Sequence, residues 1–280
     1  AVVLTQSAST LTFGGVVRNA VRQTVDVGST NFTTSNYWHG ILQSIEGFNS
    51  YDLLGKPVVI SFIFNTNLTG TYSVSFKDGS GSQSYVTSFS ATANTPVKVI
   101  VAIAAIPASA NIPRSNVGGL SLTIGFQNQA TFQTATLNAW QVGNFLSATG
   151  ATIWAATAGN FIELTELQLE EGTVATAFER RSYGQELVLC QRYFEAGITS
   201  GGYAPWISGQ SVATRMFGFG THKRIAPSLA GVVTNLDNCV AGNGAFPYTT
   251  AVGFTHTQGA ANTGFPYNSL SLTYTASAEL

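Results

Sequence analysis

Val58-Val59-Ile60-Ser61-Phe62-Ile63-Phe64 is an almost unbroken β-branched and aromatic run, and Thr71-Tyr72-Ser73-Val74-Ser75-Phe76, six residues further on, alternates polar and apolar. The first pattern predicts a strand buried on both faces, the second a half-buried antiparallel strand. Asn65-Thr66-Asn67-Leu68-Thr69-Gly70 supplies the turn between them, and Asp78-Gly79-Ser80-Gly81 follows the second. Working outward, further strands are expected at Val97–Ile103, Leu120–Phe126, Thr131–Trp140 and Phe161–Leu169. No helical period separates them. The expected fold is all-β: an antiparallel jelly-roll β-sandwich.

Glu163 to Gly197 is different. Seven Glu and three Arg fall in this stretch, out of 13 acids and 12 bases in 280 residues, whereas Gly79 to Ile162 has no acid. Ser182-Tyr183-Gly184-Gln185 has capping-box spacing. Tyr183, Leu187, Cys190 and Phe194 then recur at steps of four, three and four. One short linking helix is therefore predicted over 182–197, with Gly197 ending it and Cys190 as a buried thiol on its apolar side. Past it, Val212–Phe219, Leu229–Thr234, Thr250–Thr255 and Ser269–Tyr274 read as strands again. The expected organisation is a sandwich over 1–181, the helix over 182–197, and a smaller C-terminal β domain over 198–280.

Composition narrows the function. Only 9% of residues are charged and the formal net charge is −1, so no basic field exists to attract nucleic acid. The longest apolar run, Val99 to Ala108, is far short of the roughly 20 residues of a membrane-spanning helix. Cys190 and Cys239 form no CxxC pair, and His39, His222 and His256 are dispersed, so no metal site or cofactor is expected. Ala1-Val2-Val3-Leu4 lacks the basic region and cleavage site of a secretory leader, and Met216 is the only methionine. The chain is expected to be processed or a fragment.

No GxSxG elbow, phosphate loop or dinucleotide fingerprint is present. Glycoside cleavage needs two facing carboxylates, and Asp26, Glu46, Asp52 and Asp78 are read as turn and surface residues. Glu163, Glu166, Glu170 and Glu171 are read as a solvated strand edge facing Arg180 and Arg181. Catalysis is not expected, and a glycan depolymerase is the least favoured reading. Aromatic rings in polar loops point instead to sugar stacking: Tyr37, Trp38 and His39 form one candidate glycan-binding cluster, Tyr203 and Trp206 another, with Trp154, Tyr248 and Tyr267 as further contacts.

Gln168-Leu169-Glu170-Glu171-Gly172-Thr173-Val174-Ala175-Thr176-Ala177-Phe178-Glu179-Arg180-Arg181-Ser182-Tyr183-Gly184-Gln185-Glu186-Leu187, continuing to Cys190-Gln191-Arg192-Tyr193-Phe194, resembles a signature of bacteriophage tail and head fibre virion proteins. In that family a carbohydrate-binding-module-like sandwich leads into a short helix. Gln43-Ser44-Ile45-Glu46-Gly47, Leu54-Gly55-Lys56-Pro57 and the closing Tyr274-Thr275-Ala276-Ser277-Ala278-Glu279-Leu280 resemble other parts of it. Ala177 and Phe194 depart from the usual proline and tyrosine. The resemblance implies a homotrimer on the virion surface, with other virion proteins and a host receptor or surface glycan as partners. Arg180, Arg181, Tyr183, Leu187, Cys190 and Phe194 would be its oligomer contacts. A capsid decoration or tail adaptor without receptor role is the alternative.

Overall fold

Every residue of Val58–Thr66 is buried, as the double-sided apolar run requires, and the sandwich is built around it. The computed structural model describes residues 2–29, 39–203, 212–237, 245–259 and 268–279. It divides into two compact units, Ala1–Glu179 and Arg180–Glu279.

The first unit contains β1 (Val3–Phe13), β2 (Val16–Val27), β3 (His39–Glu46), the single-turn helix α1 (Gly47–Ser50), β4 (Val58–Thr66), β5 (Gly70–Asp78) and β6 (Gln83–Ala91). It continues with β7 (Val97–Ile103), β8 (Gly118–Gln127), β9 (Gln133–Thr134), β10 (Trp140–Val142), β11 (Ser147–Ala148) and β12 (Phe161–Glu171). One sheet has the order β1-β2-β12-β4-β7 and the other β10-β6-β5-β8-β3. All pairings within these two sheets are antiparallel. With the edge strands β1 and β10 and the separate two-stranded β9–β11 pair set aside, every connection except β5 to β6 crosses from one sheet to the other. That is the jelly-roll path expected from the sequence.

The core lies between the sheets. Phe62, Phe64, Tyr72, Val74, Phe76, Leu120, Ile124, Trp154 and Ile162 belong to one buried cluster. Phe89 packs edge-on against Phe62 and Phe64, at 5.6 and 5.0 Å between ring centroids. Trp154, expected as a surface glycan contact, is instead fully buried, and its indole N–H donates to the Gly125 carbonyl at 2.8 Å. Its polar atom is satisfied inside, so the whole ring can serve packing.

Asp78 is buried in the β5–β6 turn, where its carboxylate accepts from the backbone N–H groups of Ser82 (2.8 Å) and Asn111 (2.9 Å) and from the Ser82 hydroxyl (2.8 Å). Burial pushes its pKa up, but these hydrogen bonds outweigh that and hold it below the ordinary value. The strand expected over Thr131–Trp140 is not formed. A 3-10 turn at Ala130–Phe132, the two-residue β9 and the left-handed Asn138 (φ 61°) occupy the segment. Asn138 N donates to the Val86 carbonyl, a turn contact that ends any alternation.

The second unit opens with α2 (Tyr183–Gln191), followed by β13 (Phe194–Tyr203), β14 (Val212–Gly218), β15 (Ser228–Asp237), β16 (Ala245–Thr249), β17 (Gly253–Gly259) and β18 (Asn268–Ser277). Its sheets run β13-β18-β15 and β14-β17-β16. Phe217, Phe254, Leu272, Tyr274 and Ala276 form its core.

The helix differs from expectation at its C-terminus. Gln185 accepts from the Ser182 backbone N–H at 3.2 Å, as the capping spacing predicts. The helix then stops at Gln191, so Phe194 and Gly197 belong to β13, opposite Ser277 and Tyr274. A Cβ on Gly197 would lie 2.9 Å from the Tyr274 ring, which explains the glycine as a packing requirement. Lys223 ends the helix from outside: its Nζ donates to the Gln191 carbonyl at 2.5 Å. Cys190 is exposed rather than buried, and no residue of α2 is buried. The helix is held at its ends, not by an apolar face.

Lys223 is also the centre of a buried polar network. Fully buried, it donates to Glu195 Oε2 at 2.6 Å and lies 4.9 Å from the Phe219 ring centroid. Glu195 Oε1 accepts from the Tyr274 hydroxyl at 2.8 Å and from Gly220 N at 3.2 Å. Burial raises the Glu195 pKa, but Lys223, Tyr274 and Gly220 reverse the shift and leave it below the usual value. Tyr274 is pushed up to about 12 by burial and by its bond to Glu195.

Candidate functional site

Strand β12 places two carboxylates differently. Ile162 and Leu164 enter the core, so Glu163 between them faces the opposite side of the sheet. There it is 1% exposed and accepts from Ser9 Oγ (2.5 Å), Arg22 Nε (3.0 Å) and Asn65 Nδ2 (3.0 Å). Burial raises its pKa, and these three partners more than reverse the effect. Arg22 in turn stacks over Phe161, 4.0 Å from the ring centroid. Glu163 is a structural carboxylate.

Glu166 sits on an interruption of the strand. Ile63 opposes Thr165 and Ser61 opposes Gln168, so β12 holds one residue more than β4 between these pairs. This is a β-bulge, a device that re-aims side chains. Glu166 has φ 51°, a left-handed conformation that costs on the order of 1–3 kcal/mol in a non-glycine residue. Arg18 holds it there, with Nε 2.7 Å from Glu166 Oε1 and both side chains 15% exposed. Arg18 Nη1 also donates to the carbonyls of Phe13 (2.5 Å) and Val16 (2.8 Å). Those carbonyls flank Gly14 and Gly15, both at positive φ, which make the tight turn joining β1 to β2. The hairpin tip and the bulge are thus fastened to one guanidinium.

Between this hairpin, the bulge and β3 lies a cleft of about 650 Å³, within the roughly 300–1,000 Å³ range of ligand sites. Gln23 opposes Ile162 and Val21 opposes Leu164 in the register, so the cleft lies on the core-facing side of the sheet, at its edge. Its apolar surface comes from Val21, Ile41, Leu164 and Leu167, and its polar surface from the amides of Gln6, Asn19, Gln23 and Gln43 together with Thr165 and Glu166. Gln23 Oε1 is buried with no hydrogen-bond partner, an acceptor waiting for a donor. Lys, Arg, His and aromatic residues are absent from the described residues lining the cleft.

The candidates from sequence distribute as follows. His39 is the first residue of β3, beside the cleft residue Gly40, and burial lowers its pKa. Tyr37 and Trp38, the two residues before it in the chain, lie outside the described residues, as do Trp206 and Tyr267. Tyr203 ends β13 opposite Asn268; its side chain and that of Tyr248 are likewise not described. Arg180, Arg181, Tyr183, Leu187 and Cys190 are exposed on or beside α2, and Arg181 reaches Glu186 at 3.4 Å. Phe194 is 46% exposed at the start of β13.

The acids expected to face Arg180 and Arg181 have other partners. Glu163 and Glu166 pair with Arg22 and Arg18 of β2, and Glu171 with Lys56 at 2.8 Å. Glu170 is bonded to Thr176. Sequence reasoning did not single out Gln6, Asn19, Gln23 or Gln43. The signal available was the Gly14-Gly15 pair, which marks a hairpin and puts Gln6, Asn19 and Gln23 on it; Gln43 comes from β3 and has no such signal.

No family model matches this chain, and no curated protein matches it. Among solved structures it is similar to one described as "CBM4 structure and function", at 10% identity and a TM-score of 0.29, covering 60% of this chain and 78% of that one. A putative sugar binding protein from Bacteroides thetaiotaomicron aligns at 11% identity and a TM-score of 0.28, over 60% of this chain and 82% of the other. Discoidin II of Dictyostelium discoideum aligns at 12% identity and a TM-score of 0.23, over 97% and 81%.

Proposed function

We propose that this chain is a binding protein without catalytic activity, a bacteriophage fibre-type virion protein whose sandwich takes a glycan of the host surface. The observation that carries the binding reading is the edge cleft: amide side chains over an aliphatic floor, a buried acceptor on Gln23 without a partner, and a β-bulge at Glu166 that keeps Leu164 and Leu167 on the cleft side. Amides meet sugar hydroxyls and aliphatic carbons meet the sugar's C–H faces. The virion reading is supported by the resemblance of the segment from Gln168 to Phe194 to fibre proteins. The low charge of the chain suits a particle exposed to variable salt, since little of its cohesion would be screened. The absence of catalysis is supported by the carboxylates themselves: Asp78, Glu163 and Glu195 are each saturated with hydrogen bonds that keep them ionised, unlike a general acid with a raised pKa.

A homotrimer is part of the same reading. Tyr183, Leu187, Val188 and Leu189 of α2 are 81, 40, 51 and 44% exposed, an apolar patch on a helix too short to be stable alone. Light scattering at micromolar concentration is expected to give three times the chain mass, and Leu187→Glu to reduce it to the monomer. A stable wild-type monomer would contradict the assembly. For binding, fluorescently labelled protein is expected to decorate host cells and to be retarded in gels containing host surface polysaccharide, with no oligosaccharide released. Failure to bind would favour the adaptor reading, and release of oligosaccharide would favour the depolymerase.

A further inference from the structure

We infer that the edge cleft selects uncharged, hydroxyl-donating glycans and rejects acidic ones; this rests on the glycan-binding reading above and adds the ligand class. The charge inventory of the walls decides it. Gln6, Asn19, Gln23 and Gln43 are neutral, and Glu166 is the one ionisable side chain among the described lining residues. Arg18, outside the lining, is already committed to Glu166 and to two carbonyls of the hairpin tip. A uronate, sialate or phosphate group entering here would lose its water and find no positive partner among the described lining residues. Burying an unpaired charge costs far more than a hydrogen bond returns, so the lining acts against anionic sugars as well as for neutral ones.

The polar atoms also set the direction of hydrogen bonding. Gln23 Oε1 can only accept. That acceptor is matched by a ligand hydroxyl that donates its proton, and the neutral amides around it by the neighbouring hydroxyls. The aliphatic floor of Val21, Ile41, Leu164 and Leu167 takes the apolar face of the ring. Leu164 and Leu167 flank the bulge, and its extra residue keeps both leucines on the cleft side. A regular strand would carry residues three apart to opposite faces.

Affinity electrophoresis of the full chain through gels containing a neutral glucan, a neutral galactan or alginate, a uronate polymer, tests this. Binding to at least one neutral polymer is expected, with alginate at least tenfold weaker. Gln23→Leu is expected to weaken the neutral interaction about tenfold. Asn19→Lys, which places a cation in the wall, is expected to bring alginate binding to within threefold of the neutral polymer. Unchanged melting curves show that both variants are folded. Wild-type protein that binds alginate as tightly as the neutral polymers would overturn the ligand class and leave glycan binding standing. So would neutral binding that Gln23→Leu and Asn19→Lys leave untouched, because the site would then be elsewhere. Binding to none of these polymers or to host polysaccharide would end the glycan reading and the ligand class together.

Discussion

Replacing Lys223 by methionine removes a buried cation while keeping most of its volume, and the consequence can be worked from its contacts. Nζ donates to Glu195 Oε2 at 2.6 Å and to the Gln191 carbonyl at 2.5 Å, and the side chain is 0% exposed. Methionine supplies neither bond. Glu195, 8% exposed, keeps the Tyr274 hydroxyl and Gly220 N but loses its counter-charge, and the helix end loses its donor. Breaking one side of a buried pair costs about 3–5 kcal/mol, which is a factor of roughly 10²–10⁴ in local opening. Hydrogen exchange of peptides from β13, β15 and β18 reads this unit directly and avoids treating a two-unit chain as one transition. Pairing Lys223→Met with Glu195→Gln removes the orphaned charge, so the double variant is expected to recover at least about 2 kcal/mol of the summed single losses. Protection falling less than tenfold in Lys223→Met, or losses that simply add in the double variant, would refute the argument that the network is held by mutual neutralisation.

Acid is expected to destabilise both units. Asp78, Glu163 and Glu195 have folded pKa values below their ordinary ones, so their contribution is present above the usual carboxylate range near pH 4 and is lost as the pH falls through the depressed values. Melting temperatures measured from pH 7 to 2 should be level at first and then fall steeply below about pH 4; a flat profile would contradict this. Trp154→Phe removes the N–H bond to Gly125 and leaves a void in a fully buried site, so urea unfolding of the first unit should show a loss of about 2–4 kcal/mol. At Gly14 (φ 58°) an added Cβ meets nothing within 4 Å, so only backbone strain is at stake. Gly14→Ala should cost about 1 kcal/mol in thermal melts and Gly14→Asn markedly less.

Strands β4, β5, β7, β8 and β12 are legible in the sequence because their signal is local. The buried run Val58–Phe64 and the alternation Thr71–Phe76 follow from a period of two, and Gly- and Asn-rich turns punctuate them. The helix start was legible from four residues, Ser182 to Gln185. Its end was not, because the group that takes the Gln191 carbonyl is Lys223, 32 residues away. Cys190 is exposed where a buried thiol is expected for a related reason: a helical stripe shows which residues could share a face but not whether anything covers it.

The candidate cleft was the least legible feature. The partners of Glu163 and Glu166 sit 141 and 148 residues earlier in the chain, on β2. Composition alone cannot distinguish these carboxylates from a solvated edge. Sequence by itself determined that this chain is a low-charge, antiparallel β protein, because strand periodicity and turn chemistry are written in consecutive residues. Tertiary structure alone decided which amides face one cleft, where β12 gains its extra residue, and which acids are buried with a partner. Those depend on register between strands far apart in the chain, and a slip of a single residue would turn every one of these side chains to the other face.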